Sequence, residues 1–124
     1  MPKQGEAWSI VFYTDREGNT PVEDFLANLD LKTQARFDWS IERLRELNVH
    51  AREPLVKHIE GKLWELRRAS SGNIYRLFYF FFTGREIVFL HGFQKKTGKT
   101  PRKEIQIAES RMGDYISRKG GEEP

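Results

Sequence analysis

Residues 74–82 read Ile-Tyr-Arg-Leu-Phe-Tyr-Phe-Phe-Phe, apolar on both faces as expected of a central β-strand, with one arginine set into the run. Alternation places Ile74, Arg76, Phe78, Phe80 and Phe82 on one face and Tyr75, Leu77, Tyr79 and Phe81 on the other. A strand at 63–68 precedes it across the turn 69–72, with Trp64 and Leu66 on one face and Glu65 and Arg67 on the other. A third, at 86–94, follows across Thr83-Gly84-Arg85. Strands 63–68, 73–82 and 86–94 with short turns make an antiparallel meander, around which the rest of the chain is arranged.

Before the meander, residues 8–13 are β-branched and aromatic and predict a first strand, followed by a turn at 15–19. Thr20-Pro21-Val22-Glu23 predicts an N-cap, a proline at the first helical position and a capping glutamate, opening a short helix with Phe25, Leu26 and Leu29. Asp30 caps a longer helix through about Asn48, whose apolar stripe is Phe37, Ile41, Leu44 and Leu47. A loop follows at 48–54, and 55–61 stays open between one helical turn and an extended approach to the sheet. The last helix starts at Thr100-Pro101, buries Ile105, Ala108, Met112 and Tyr115, and frays from Arg118 onward. At 124 residues the chain is expected to form one domain, with its core over about 8–118. The order βαα then βββα gives an α+β class with helices against one sheet.

Charge is unevenly spread. Ten Lys or Arg lie between 62 and 103 against only Glu65 and Glu86, while residues 1–60 carry net −3 and residues 61–124 net +6. A basic cluster on strands points to an anionic partner, nucleic acid first, against the alternative of a solvated basic surface. The sheet is therefore expected to display a positive working face while the rest of the chain covers the other. Cysteine is absent, which excludes disulfides and thiolate chemistry. The longest apolar run, 77–82, is too short to cross a bilayer, and the first residues lack the apolar core of a signal peptide. A soluble, cytoplasmic chain is expected. There is no phosphate-loop or dinucleotide glycine motif and no HExxH, and His50, His58 and His91 are far apart, so neither metal nor cofactor is expected.

Within the strands, Arg76 must find a carboxylate, reach solvent or bind an incoming anion, and Glu65 on the neighbouring strand is its nearest ion-pair candidate. Lys95 and Lys96 end the last strand. Arg102 and Lys103 fall in the first turn of a helix, where cations oppose the dipole, and with Lys99 they would meet a phosphate there. The alternative for Lys99 and Lys103 is an exposed loop. His91, in register with Phe89 and Phe93, reads either as a satisfied core residue or as a proton-transfer group. Tyr75 and Tyr79 read as packing residues, with base stacking the other option.

Three blocks, Leu63-Trp64-Glu65-Leu66-Arg67, Tyr75-Arg76-Leu77-Phe78-Tyr79 and Leu90-His91-Gly92-Phe93-Gln94-Lys95-Lys96-Thr97 with Thr100-Pro101, resemble the RelE/HigB toxins, and best the phage-derived HigB-like branch. The resemblance spans about 8–118. It implies a RelE-like α+β fold: an antiparallel sheet of about four strands, mixed at one edge, with two N-terminal helices and a C-terminal helix. It further implies the toxin of a type II toxin–antitoxin pair, a metal-independent endoribonuclease that cuts messenger RNA on the ribosome. Its partner would be a cognate antitoxin, a small helix-turn-helix protein. The family's catalytic positions carry over to Arg67, Arg76, Lys95, Lys96 and His91; the remaining cations of the basic stretch, Lys62, Arg68, Lys99, Arg102 and Lys103, are expected to contact RNA. In such chemistry a 2′-hydroxyl attacks the adjacent phosphorus while arginines hold the dianion. One of the lysines helps to activate the hydroxyl, and His91 or Glu65 handles a proton. The competing class is a non-catalytic nucleic-acid-binding or antitoxin-interaction module on the same fold.

Overall fold

The computed structural model describes residues 8–96 and 99–120. Nine elements follow in order: β1 (Ser9–Phe12), α1 (Pro21–Ala27), α2 (Leu31–Leu47), a 3₁₀ turn (Asn48–His50), β2 (Val56–Glu60), β3 (Leu63–Ser70), β4 (Asn73–Phe82), β5 (Glu86–Lys95) and α3 (Arg102–Gly120). One sheet runs β1-β5-β4-β3-β2, so the aromatic run is indeed its middle strand. The β2–β3, β3–β4 and β4–β5 pairs are antiparallel, and β1 joins β5 in parallel at one edge. The sheet has five strands rather than about four, because the segment left open at 55–61 is β2, paired along Glu65 and Trp64 of β3.

Both faces of β4 are packed, each against its own helices. Tyr75, Leu77 and Tyr79 join Val22 of α1 and Phe37, Ile41 and Leu44 of α2 in one core. Phe78 and Phe80 join Ile105, Ala108 and Tyr115 of α3 in a second. The basic face is therefore not left wholly open: α3 covers its Phe78–Phe80 part, and only the part toward Ile74 carries charge. The Asp30 cap forms as expected, its Oδ1 accepting from the Thr33 amide at 2.7 Å. Thr20 makes no side-chain cap; its carbonyl simply accepts the Asp24 amide at 2.9 Å, the first backbone bond of α1. α3 begins at Arg102 and stays helical through Arg118 and Lys119 to Gly120, further than sequence suggests. Thr97 and Gly98, part of the basic segment, lie outside the described residues.

β5 contains one irregularity with functional weight. Phe78 pairs with His91 and Tyr79 with Phe89, leaving Leu90 as the extra residue of a bulge. Alternation flips there. Phe89 joins the α1/α2 core, while Leu90 and Phe93 join the α3 core and His91 stacks on Phe93. The expectation that Phe89, His91 and Phe93 share a face fails because a period of two does not survive an inserted residue.

Just past His91, Gly92 pairs with Leu77 beneath α1. A methyl group at Gly92 would overlap the Phe25 ring and come within 2.9 Å of Leu77 Cδ2. Gly92→Ala should therefore destabilise the fold by about 1–3 kcal/mol in urea denaturation, with an unchanged slope against denaturant.

Candidate nucleic-acid interface

Strand register decides which cations meet. Lys57 pairs with Glu65, Arg67 with Arg76, Arg76 with Phe93, and Lys95 with Ile74. Directly paired residues share a face, so Lys57, Glu65, Arg67, Arg76 and Lys95 all lie on the α3 side of the sheet. Arg67 and Arg76 sit opposite one another on adjacent strands. Like charges so placed repel unless answered, and Glu65 answers from the diagonal position.

Of the three options open to Arg76, the ion pair is realised: its Nη1 donates to Glu65 Oε1. Arg76 is only 4% exposed and Glu65 fully buried, and the second carboxylate oxygen and Arg76 Nε have no hydrogen-bond partner. Lys57, Arg67 and Lys95 differ. Lys57 and Arg67 are exposed, Lys95 is partly so, and among the described residues none of the three side chains is hydrogen-bonded or ion-paired. Partial burial, then the positive field of Arg76, Lys57 and Arg67, holds the Lys95 ammonium below the usual lysine range, with Glu65 opposing.

The other cations go elsewhere. Arg68 faces α2, donating to Ser40 Oγ at 3.2 Å with its guanidinium 5.6 Å from the Trp39 ring centroid. It belongs to the opposite side of the sheet from Arg67. Arg102 forks onto both oxygens of Glu60 at 2.8 and 3.1 Å, which ties the start of α3 to the end of β2. That pair answers the cation at the helix start. Lys62 is exposed in the β2–β3 turn, five residues or roughly 16 Å of strand from Arg67. Lys103 is exposed in the first turn of α3, near that same end of β2, and Lys99 and Lys96 are exposed between β5 and α3. Among the described residues, Arg68, Arg102, Lys62, Lys103 and Lys96 make no hydrogen bond or ion pair with the patch.

His91 is held by α3. Arg111 Nη1 donates to His91 Nδ1 at 3.2 Å, which leaves Nε2–H to donate to Glu104 Oε1 at 2.6 Å. Burial, aided by Arg111 and opposed by Glu104, lowers its pKa. Both ring nitrogens are thus engaged, Nε2 with Glu104 and Nδ1 with Arg111. Lys57 is the residue that sequence reading missed. The signal was present in the alternation of Val56, Lys57 and His58, but it becomes decisive only once β2 pairs with β3.

A mixed five-stranded sheet packed on both faces by the three α-helices of the described residues is an α+β architecture of the RelE-like kind. Residues 24–113 match the family model described as "Phage derived protein Gp49-like (DUF891)". The chain belongs to that phage-derived family, a toxin-like family of the RelE/HigB type. A search of curated proteins found no match. The matched span contains every residue of the cation patch. No helix among the described residues is long and apolar enough to cross a membrane.

Two outcomes follow from the buried groups. Glu65→Ala leaves Arg76 buried and unpaired and should lower unfolding free energy by about 3–5 kcal/mol, whereas Glu65→Leu with Arg76→Met should recover most of that loss in the same denaturation assay. His91 favours its neutral form in the folded chain, so below the usual histidine value of 6.5 the unfolded chain takes up a proton that the native one resists. Its contribution to stability is complete above pH 6.5 and is lost as pH falls through the lower native value; His91→Gln should flatten that part of the stability–pH curve.

Proposed function

We propose that the chain is the toxin of a toxin–antitoxin pair, of the HigB-like branch, and that it cleaves messenger RNA in the bacterial cytoplasm while bound in the ribosomal A site. The observation that supports this most directly is the set of three uncompensated cations, Lys57, Arg67 and Lys95, on one sheet face around a buried Arg76. A phosphodiester seated there would be held by the Arg67 fork and the Lys57 ammonium, with Lys95 acting as the neutral amine that its surroundings favour. Lys95, with its lowered pKa, is the group suited to accept the 2′-hydroxyl proton. The 2′-oxygen then bonds to phosphorus and the 5′-oxygen departs, taking a proton from the Lys57 ammonium. The products are a 2′,3′-cyclic phosphate and a 5′-hydroxyl end. Arg67 and Arg76 supply positive charge to the dianionic transition state, Arg76 through the field of a group fixed beneath the site. A small helix-turn-helix antitoxin that covers this face would silence it.

Arg76 is a poor probe of this reading, because its loss also removes the partner of Glu65. Arg67 and Lys57 are clean ones, being exposed and unpaired. Arg67→Ala and Lys57→Ala should each lower the yield of new transcript ends by about 100-fold or more, with melting temperatures within about 2 °C of wild type. The measurement is transcript-end mapping in bacteria expressing each variant without antitoxin. Wild type that neither arrests growth nor creates 5′-hydroxyl ends sinks the enzymatic reading. Salt-sensitive RNA retention without new ends would instead identify the non-catalytic binding module.

A further inference from the structure

Next to Arg67 the surface forms a pocket of about 190 Å³ lined by Glu53, Pro54, Val56, Lys57 and Arg67. It shares Lys57 and Arg67 with the cation patch, so any polynucleotide phosphate seated on those two side chains brings an adjoining nucleotide to its mouth. The pocket is smaller than the roughly 300–1,000 Å³ that encloses a drug-sized ligand, and it suits one planar base. Pro54, exposed at the rim, supplies an apolar wall, while the Val56 side chain turns to the opposite face of the sheet. Glu53 lines the same space as two cations, yet makes no hydrogen bond or ion pair with either among the described residues.

We infer that this pocket is a nucleobase subsite, and that Glu53 makes it selective for guanine. This rests on the RNA-cleaving reading above and adds to it a base preference. An ionised carboxylate only accepts hydrogen bonds. Guanine alone among the four RNA bases presents two adjacent donors, N1–H and N2–H, that one carboxylate can accept together. Adenine and cytosine offer one exocyclic amine beside an acceptor that would face the carboxylate, and uracil one N3–H between two carbonyls. Unstacked bases of single-stranded RNA are read on this Watson–Crick edge. Phosphate contacts to Lys57 and Arg67 would position the chain without regard to sequence, and Glu53 would specify.

The test uses the full chain and the 3′,5′-bisphosphates of guanosine, adenosine, cytidine and uridine, which carry phosphate on both sides of the sugar. Binding is followed by calorimetry or by amide shifts of residues 53, 55–57 and 67. The guanosine compound should bind about tenfold tighter or more than the other three. Glu53→Gln should bring all four to within about threefold of each other while binding each at least as tightly as wild type binds the non-guanine compounds, since a charge repelling phosphate has gone. Arg67→Ala should weaken all four alike. Equal affinities in wild type, a preference for another base, or a guanine preference that survives Glu53→Gln each overturns the subsite. If none of the four binds and Arg67→Ala changes nothing, the phosphate site falls as well, and the two failures are told apart.

Discussion

A guanidinium in the central strand of a sheet has to be met within hydrogen-bond reach, and the Glu65–Arg76 pair does so across β3 and β4. Both groups are almost wholly removed from water, and two of their polar atoms remain without partners. Such a pair is weak support for stability, since well-packed apolar residues serve as well. Its effect here is on charge. One buried carboxylate stands among Arg76, Arg67, Lys57 and Lys95, with Glu53 bordering only Lys57 and Arg67, enough to hold two facing arginines on adjacent strands and too little to neutralise the group. The remaining positive charge is left where an anion can reach it.

The same sheet face is shared between this patch and a hydrophobic seat for α3. Phe78 and Phe80 pack under Ile105, Ala108 and Tyr115, and the charged groups begin two residues back along β4. The bulge at Leu90 marks the boundary, because it brings both Leu90 and His91 to the α3 side. Arg111 then bonds the Leu90 carbonyl at 2.9 Å as well as the histidine ring. Further anchors lie at the far end of the helix, where Asp114 accepts from Tyr13 at 2.6 Å and Tyr115 donates to Glu86 at 2.6 Å. α3 is thus fixed along its length by polar contacts that bracket an apolar stripe, and the first of them, Arg102 on Glu60, relieves the unfavourable cation at the helix start.

Where sequence reading succeeded, the signal was local. The aromatic run announced the middle strand, the Phe37-Ile41-Leu44 spacing announced the buried side of α2, and Asp30 announced where that helix starts. Arg67 and Arg76 come to one face because β3 and β4 meet through a tight turn that fixes their register. Where it failed, a distant partner decided. Lys57 entered the patch only when β2 found β3, Arg68 left it for Ser40 and Trp39, and His91 turned to Glu104 and Arg111 on α3.

Composition and periodicity alone determined that this chain builds an α+β domain on a central aromatic strand with an excess of cations beside it. Those properties depend on neighbours a few residues apart, which is the range over which backbone geometry carries a pattern. Which cations stay unpaired was left to the tertiary structure. A lysine or arginine is committed or left uncommitted by the carboxylates that packing brings within about 4 Å of it, the range over which charges pair closely. Here those carboxylates, Glu60, Glu65 and Glu104, stand 11 to 42 residues away from their partners Arg102, Arg76 and His91, which sequence reading assigned to catalysis or RNA contact.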